Sequence, residues 1–358
     1  MTVSIPAARM SEQQPLENVE TVPTVGAGLI DQHGRVFDYL RVAVTDRCNL
    51  RCIYCMPEKG VDFTRDEELL TTAEILRVVG VAATLGVNKI RYTGGEPLLR
   101  QDILDLIASA TQIPGITSIH LTTNGIHLPG KAVALREAGL DGVNISLDTL
   151  DAAKFLQITR REGVAQVLEG MRTALEAGLP SVKINVVAMR GFNDHEIEAF
   201  VNLTRDHSIT VRFVELMPFD VHQIWKTGRY CGMDLIRERL EGLYPELGAA
   251  TGSATEETVF QIPGHAGKVA LIPAYTRPIC ETCNRVRLTA DGQLRNCLYS
   301  TMEFDLKGVL RAGGDDEALA RLLRAAMWVK FKDGWEAQHQ DGGAAPRHLR
   351  ESMTQIGG

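Results

Sequence analysis

From Leu40 to Met217, short apolar runs alternate with segments whose apolar residues recur at helical spacing, the pattern of repeated strand–helix units around a parallel sheet. Six strands are predicted, at 40–44, 88–93, 117–122, 142–147, 182–188 and 210–216. Thr71-Thr72-Ala73-Glu74 forms a capping box ahead of Ile75, Val78, Val79 and Ala82, and Gly86 is available past the helix end. Further helices are expected near 102–110, 131–138, 164–177 and 194–206. Glu137-Ala138-Gly139-Leu140 before Val143 and Ile145 recurs as Glu176-Ala177-Gly178-Leu179 before Val182 and Ile184, each copy a helix end turning into a strand. Six such units fall short of the eight of a closed barrel, so an α/β fold with an open, partial TIM-like (β/α)6 barrel is expected. A doubly wound sheet is the competing layout.

Beyond Pro218 the pattern breaks into irregular sequence, including the Gly-, Ala-, Ser- and Thr-rich stretch 248–257. A C-terminal cysteine-bearing region is expected over 218–340, following the barrel at 37–217. Its features are Asp291-Gly292 between two short strand-like runs, a hairpin signal, and a helix at about 315–331. Residues 341–358 read as a polar tail ending in Gly357-Gly358. Residues 1–36 read as a disordered lead-in without a basic start or apolar stretch that would make an address.

With a formal charge of −7, a broad basic surface for nucleic acid is not expected, and no apolar run approaches membrane-spanning length. Any anionic ligand must be met locally. The seven cysteines fall into two tight groups of three and one singleton, Cys231, which is metal-like spacing and points to a reducing, cytoplasmic setting.

Cys48, Cys52 and Cys55 gather three thiols on one loop and withhold a fourth, where an electron-transfer cluster uses four. Three ligands argue for an iron–sulfur cluster with one iron open to a substrate; a zinc knuckle would need a fourth ligand that this loop lacks. The loop follows directly on the first predicted strand, with Tyr54 inside the motif, and resembles that of the radical S-adenosylmethionine (SAM) enzymes. In that family SAM chelates the open iron and is cleaved to a 5′-deoxyadenosyl radical.

Thr93-Gly94-Gly95-Glu96-Pro97 ends the second predicted strand, where glycines allow backbone to approach a ligand. It resembles the family's GGEP motif. By the same resemblance, Tyr54, Gly95, Ser146 and Met217 are expected to contact SAM.

Charge inside strands is the most telling further feature. Lys89, Arg91 and Thr93 share one face, and Arg41, Lys183 and Arg212 lie in three other strands. Cations lining a barrel incur a heavy desolvation cost unless anions occupy it, so a phosphorylated substrate is inferred.

Cys280, Cys283 and Cys297 again offer three thiols, with His265 a candidate fourth ligand for a zinc site. Arg285 and Arg287 alternate onto one strand face, suited to bidentate phosphate or purine contacts. A two-residue hairpin at Asp291-Gly292 would set Cys297 opposite Val286, on the other face, so a bulge or another register is required.

The cysteine loop, the second triplet enclosing Cys283-Asn284-Arg285-Val286-Arg287, and the terminal Gly-Gly together resemble the molybdenum cofactor biosynthesis protein A family, the GTP 3′,8-cyclases, over 37–358. The resemblance implies a lyase with two 4Fe-4S clusters, SAM on the first and GTP on the second. Substrate positions carry over to Arg41, Arg91, Thr122, Lys183, Arg285 and Arg287, with Lys89 and Arg212 as further candidates. The tail residues Gly357 and Gly358 are expected to reach the active site. The implied partners are a flavodoxin or ferredoxin as electron donor and a downstream cyclic pyranopterin monophosphate synthase, for a monomer or homodimer. The alternatives are another radical SAM enzyme with an auxiliary cluster, such as a peptide-modifying one, or a non-catalytic zinc- or nucleotide-binding module.

Overall fold

The computed structural model describes residues 28–217, 228–251, 258–275, 280–338, 350 and 352–357. Gly358, residues 1–27 of the lead-in and 252–257 of the small-residue stretch lie outside the described residues.

The six expected strands form as β1 (Tyr39–Ala43), β2 (Lys89–Thr93), β3 (Ser118–Thr123), β4 (Gly142–Ser146), β5 (Ser181–Ala188) and β6 (Thr210–Glu215). They lie side by side in chain order, each parallel to the next. A doubly wound sheet reverses its strand order partway, and this one does not. Between the strands run α1 (Thr72–Thr84), α2 (Ile103–Ala110), α3 (Ala132–Glu137), α4 (Ala152–Thr159), α5 (Val164–Glu176) and α6 (Ile197–Asp206). The capping box closes on α1 as expected, Thr71 and Glu74 each satisfying the other's backbone N–H. The repeated Glu-Ala-Gly-Leu is a helix stop. Gly139 and Gly178 take φ of +95° and +70°, and the N–H of Leu140 and of Leu179 turns back to Leu135 and Ala174. The short helix α4 carried no expectation.

Along β5 the side chains alternate strictly: Val182, Ile184, Val186 and Ala188 are buried, while Lys183, Asn185 and Val187 are half-buried on the opposite face. The first set joins the core between sheet and helices, each large apolar side chain contributing about 1.5–3 kcal/mol by its burial. The second set faces the concave side.

The C-terminal region adds to this sheet at both edges. β9 (Lys268–Ile272) runs parallel to β6, and β10 (Arg285–Leu288) runs parallel to β1. Outside β9 follow β8 (Thr258–Gln261) and β7 (Gly248–Ala250); outside β10 follow β11 (Gln293–Arg295) and β12 (Phe304–Asp305), all antiparallel. The result is one open sheet of twelve strands among the described residues, not closed into a barrel. The remaining helices are α7 (Met233–Leu243), α8 (Leu306–Arg311), α9 (Asp316–Trp328) and α10 (Gly334–Gln338). No described helix is long and apolar enough to cross a membrane.

Residues 28–36, assigned above to the lead-in, are built into the fold. Leu29 exchanges backbone contacts with Leu85 and Phe37, and Ile30 bridges Val36, making a tight hook that feeds β1.

Candidate functional site

The first thiol loop is zipped to the end of β2. Val44 donates to the Thr93 carbonyl at 2.9 Å, Gly95 to Thr45 and Glu96 to Arg47, both at 2.7 Å. A Cβ on Gly94 or Gly95 would sit 2.1 Å from the Thr45 or Arg47 carbonyl oxygen. What approaches these glycines is therefore the cysteine loop's own backbone. Further along, Arg51 and Ile53 donate to the carbonyls of Thr159 and Ile158 at 2.9 Å, tying the loop to the end of α4. Cys48, Cys52 and Cys55 are half-buried free thiols.

Two buried carboxylates brace this loop, and the sequence reading assigned a role to neither. Glu96 accepts from the Thr123 hydroxyl at 2.7 Å, the Asn124 N–H at 2.7 Å and the Leu98 N–H at 3.0 Å, locking the ends of β2 and β3 together. Asp148 accepts from the Tyr54 hydroxyl at 2.6 Å and the Val187 N–H at 2.8 Å. Burial pushes Glu96 up to about 7 and Asp148 up to about 6. The thiols follow the same physics. Burial raises Cys48, then Cys52 strongly, and Cys55 to about 12, with the neighbouring thiols and carboxylates adding to the effect.

The second triplet is assembled from a loop and a hairpin. Arg287 pairs with Arg295 and Leu288 with Leu294, and the Thr289 N–H donates to the Gln293 carbonyl at 2.9 Å. Three residues, Ala290-Asp291-Gly292, therefore make the turn, with Gly292 at φ +81°. The two-residue hairpin is corrected by one position. Continued outward, the observed register sets Cys297 level with Arg285, on the arginine face. Burial opposes ionisation of Cys283, but Lys330, Arg285 and Arg287 outweigh it and pull the thiol below its usual value. His265 is engaged elsewhere, hydrogen-bonded to Thr204 at 2.8 Å and edge-on to Tyr244.

Both triplets line one cavity of about 350 Å³ at the C-terminal ends of the strands. Its wall includes Arg41, Arg91, Arg212, Arg285, Arg287, Thr122, Ser146, Tyr54, Gly95 and Met217. Register explains the concentration of charge: Arg287, Arg41 and Arg91 are direct neighbours across β10, β1 and β2. Arg287 is buried, and burial together with Arg41 and Arg285 drives its pKa well down. Arg91 donates to the Tyr39 hydroxyl and has a buried Nη1 without a hydrogen-bond partner. Lys183 lies on the concave face but is not part of the cavity wall, nor is Lys89, whose ammonium sits 4.9 Å over the Tyr39 ring.

The tail spans the two halves. Ser352 and Met353 donate to the Cys55 carbonyl at 2.9 and 3.2 Å, and the Gly357 carbonyl accepts from Arg287 at 3.0 Å. Other wall residues received no specific role from the sequence. Asn144 and Asn185 carried a legible signal, being polar at every second position of apolar strands; Asn296, Tyr299 and Lys330 carried none.

Residues 42–204 match the Radical SAM superfamily model and 209–335 the Molybdenum Cofactor Synthesis C model. The chain is 46% identical to the GTP 3′,8-cyclase of Chlorobaculum tepidum, covering 92% of this chain and 97% of that one. It is 45% identical to the mitochondrial GTP 3′,8-cyclase of Arabidopsis thaliana, covering 92% of this chain and 83% of that protein. Among solved structures, SuiB of Streptococcus suis aligns with a TM-score of 0.59 over 89% of this chain and 78% of that one; at 14% identity this likeness shows the fold alone.

Proposed function

The chain belongs to the GTP 3′,8-cyclase family of the radical SAM superfamily, and from that membership we propose that it converts GTP to (8S)-3′,8-cyclo-7,8-dihydroguanosine 5′-triphosphate, the first step of molybdenum cofactor biosynthesis. One observation carries the reading: two separate groups of three thiols and a row of arginines open into the same cavity.

The donor sets fit the groups this requires. Each triplet supplies three free thiols, one short of a saturated four-iron cluster. Cys48, Cys52 and Cys55 would hold the cluster that binds SAM; Cys280, Cys283 and Cys297 would hold a second, facing the guanine. When bound, the first cluster and SAM would supply one-electron chemistry that removes the 3′ hydrogen atom of the ribose as 5′-deoxyadenosine; bonding of C3′ to guanine C8 would then be completed by uptake of one electron, from the external donor, and one proton.

The chain's own residues orient the substrate. Arg41, Arg91, Arg285 and Arg287 would take the triphosphate and purine, with Thr122 and Lys183 completing the set. Crowded, buried cations are relieved when an anion arrives, and each charge-assisted hydrogen bond is worth about 1.5–3 kcal/mol. Tyr54, oriented by Asp148, would contact SAM together with Gly95, Ser146 and Met217. Gly357, followed by Gly358, would meet the substrate from the Arg287 side. A flavodoxin or ferredoxin would supply electrons in a reducing, cytoplasmic setting, and a cyclic pyranopterin monophosphate synthase would receive the product.

Anaerobic incubation of the reconstituted protein with SAM, GTP and a strong reductant tests this directly. Mass spectrometry should show 5′-deoxyadenosine and an isomer of GTP that retains its triphosphate. SAM cleavage with GTP left unreacted would overturn the assignment.

A further inference from the structure

Residues 31–39 grip the second cysteine triplet through contacts that the chemistry does not use. Arg35 is buried, and its Nε donates to Asp31 Oδ2 at 2.5 Å. Asp31 Oδ1 in turn accepts the N–H groups of His33 and Arg35, both at 2.9 Å, so turn and guanidinium form one rigid unit. From that unit Arg35 Nη1 donates to the carbonyls of Cys280 and Lys332, both at 2.7 Å, and Nη2 donates to Phe331 at 2.5 Å. The far end of the same loop is held as firmly. Asn284, next to Cys283, donates its side-chain amide to Asp38 at 2.7 Å and accepts the Tyr39 N–H at 3.2 Å. Between these points the Phe37 ring lies 5.3 Å from the Lys330 ammonium, the cation that acts on Cys283.

The Cys280–Cys283 loop needs this outside support. Within itself it shows one backbone bond, Cys283 N–H to the Cys280 carbonyl at 3.2 Å. Three carbonyls from two chain segments converge on a single guanidinium, whose fixed fork of donors suits them; an ammonium is a point donor that cannot hold the same spread.

We propose that the hook is the scaffold of the second thiol triplet and that Arg35 is its positioning residue, setting Cys280 against Cys283 so that they ligate a cluster together. The proposal rests on the reading that this triplet holds an iron–sulfur cluster. Loss of Arg35 then weakens the second cluster selectively, because the first loop is secured by Gly95, Glu96 and α4, and no hydrogen bond among the described residues joins it to Arg35 or to the partners of Arg35.

Iron and sulfide per chain, and the EPR spectrum of the reduced protein with and without GTP, decide the matter for Arg35→Lys beside single-cluster references made by Cys52→Ala and Cys283→Ala. The expected result is a fall in iron by about half, loss of the GTP-dependent spectral change, and 5′-deoxyadenosine formation retained within about twofold. Full iron with an unchanged GTP response overturns the proposal, and so does equal loss from both clusters, which is what a general folding defect produces. Asp31→Asn keeps the guanidinium and removes its anchor; it should show a smaller loss in the same cluster, and it decides the question if Arg35→Lys does not fold. An unsubstituted chain that binds only the first cluster would overturn the two-cluster reading itself, and the proposal with it.

Discussion

Cys48, Cys52 and Cys55 come from one stretch of chain, whereas Cys280, Cys283 and Cys297 are drawn from a loop, a hairpin and, through their supports, the N-terminal hook. The electrostatics differ as much as the construction. Around the first triplet, burial, neighbouring thiols, Glu96 and Asp148 all disfavour thiolate. Around Cys283, Lys330, Arg285 and Arg287 favour it. At Cys48 the Leu50 N–H, Asn124 and Arg51 oppose the effect of burial without overcoming it, so a bound metal would supply the rest of the stabilisation of the thiolate. In the second triplet Cys283 is pulled down, whereas burial and the neighbouring thiols push Cys280 up. On the proposed reading, the difference separates a site for a cluster and SAM from one whose arginines suit a cluster and a nucleotide.

Removing one thiol from each side tests the separation with the largest effect. Cys52→Ala should abolish 5′-deoxyadenosine formation, while Cys283→Ala should retain part of it and lose all GTP conversion. Equal loss in both, followed by chromatography, would erase the distinction.

Gly95→Ala strikes the first side only. Its Cβ would stand 2.1 Å from the Arg47 carbonyl, so backbone must shift, and a loss of about 3 kcal/mol or more is expected in thermal unfolding. Iron analysis should find the second cluster retained.

On the second side, Arg287→Met should raise the dissociation constant for GTP by about 10- to 100-fold in calorimetry, equivalent to the roughly 1.5–3 kcal/mol of a charge-assisted hydrogen bond. Affinity for SAM should not move.

The smallest effect is in pH. Glu96 and Asp148 have folded values of about 7 and 6, above the roughly 4 of the unfolded chain. Between those limits the native state holds more protons than the unfolded one, so this part of the stability is present at low pH and is lost as pH rises to about 7. Glu96→Gln should flatten the slope of unfolding free energy against pH across that window, removing on the order of 1–3 kcal/mol of its variation in denaturant titrations. An undiminished slope would place the titration elsewhere.

Much of this was readable beforehand, for reasons that particular residues make plain. Strands β1 to β6 were legible because strands of a parallel sheet covered by helices read as short apolar runs between helix-period segments, with strict alternation only in β3 and β5, and the stop at Gly139 and Gly178 because only glycine takes that backbone conformation easily. The hairpin was misplaced by one residue: Asp291-Gly292 marks a turn, but the dipeptide does not say whether Ala290 belongs to it. The hook was read as part of a disordered lead-in because Asp31, His33, Gly34 and Arg35 look polar and loop-like until Cys280, Phe331 and Lys332 supply the partners.

The amino-acid order alone therefore determined the strand–helix alternation, the first thiol loop and the presence of buried cations, since each depends on residues within a few positions of one another. Only the folded chain decided that β10 lies beside β1, which stacks Arg287, Arg41 and Arg91 in one row, and that residues near 35, 283, 297 and 330 share a neighbourhood. Local patterns record the local energetics of backbone and burial. Which distant segments meet is set by packing summed over the whole sheet, and no short window of sequence contains that sum.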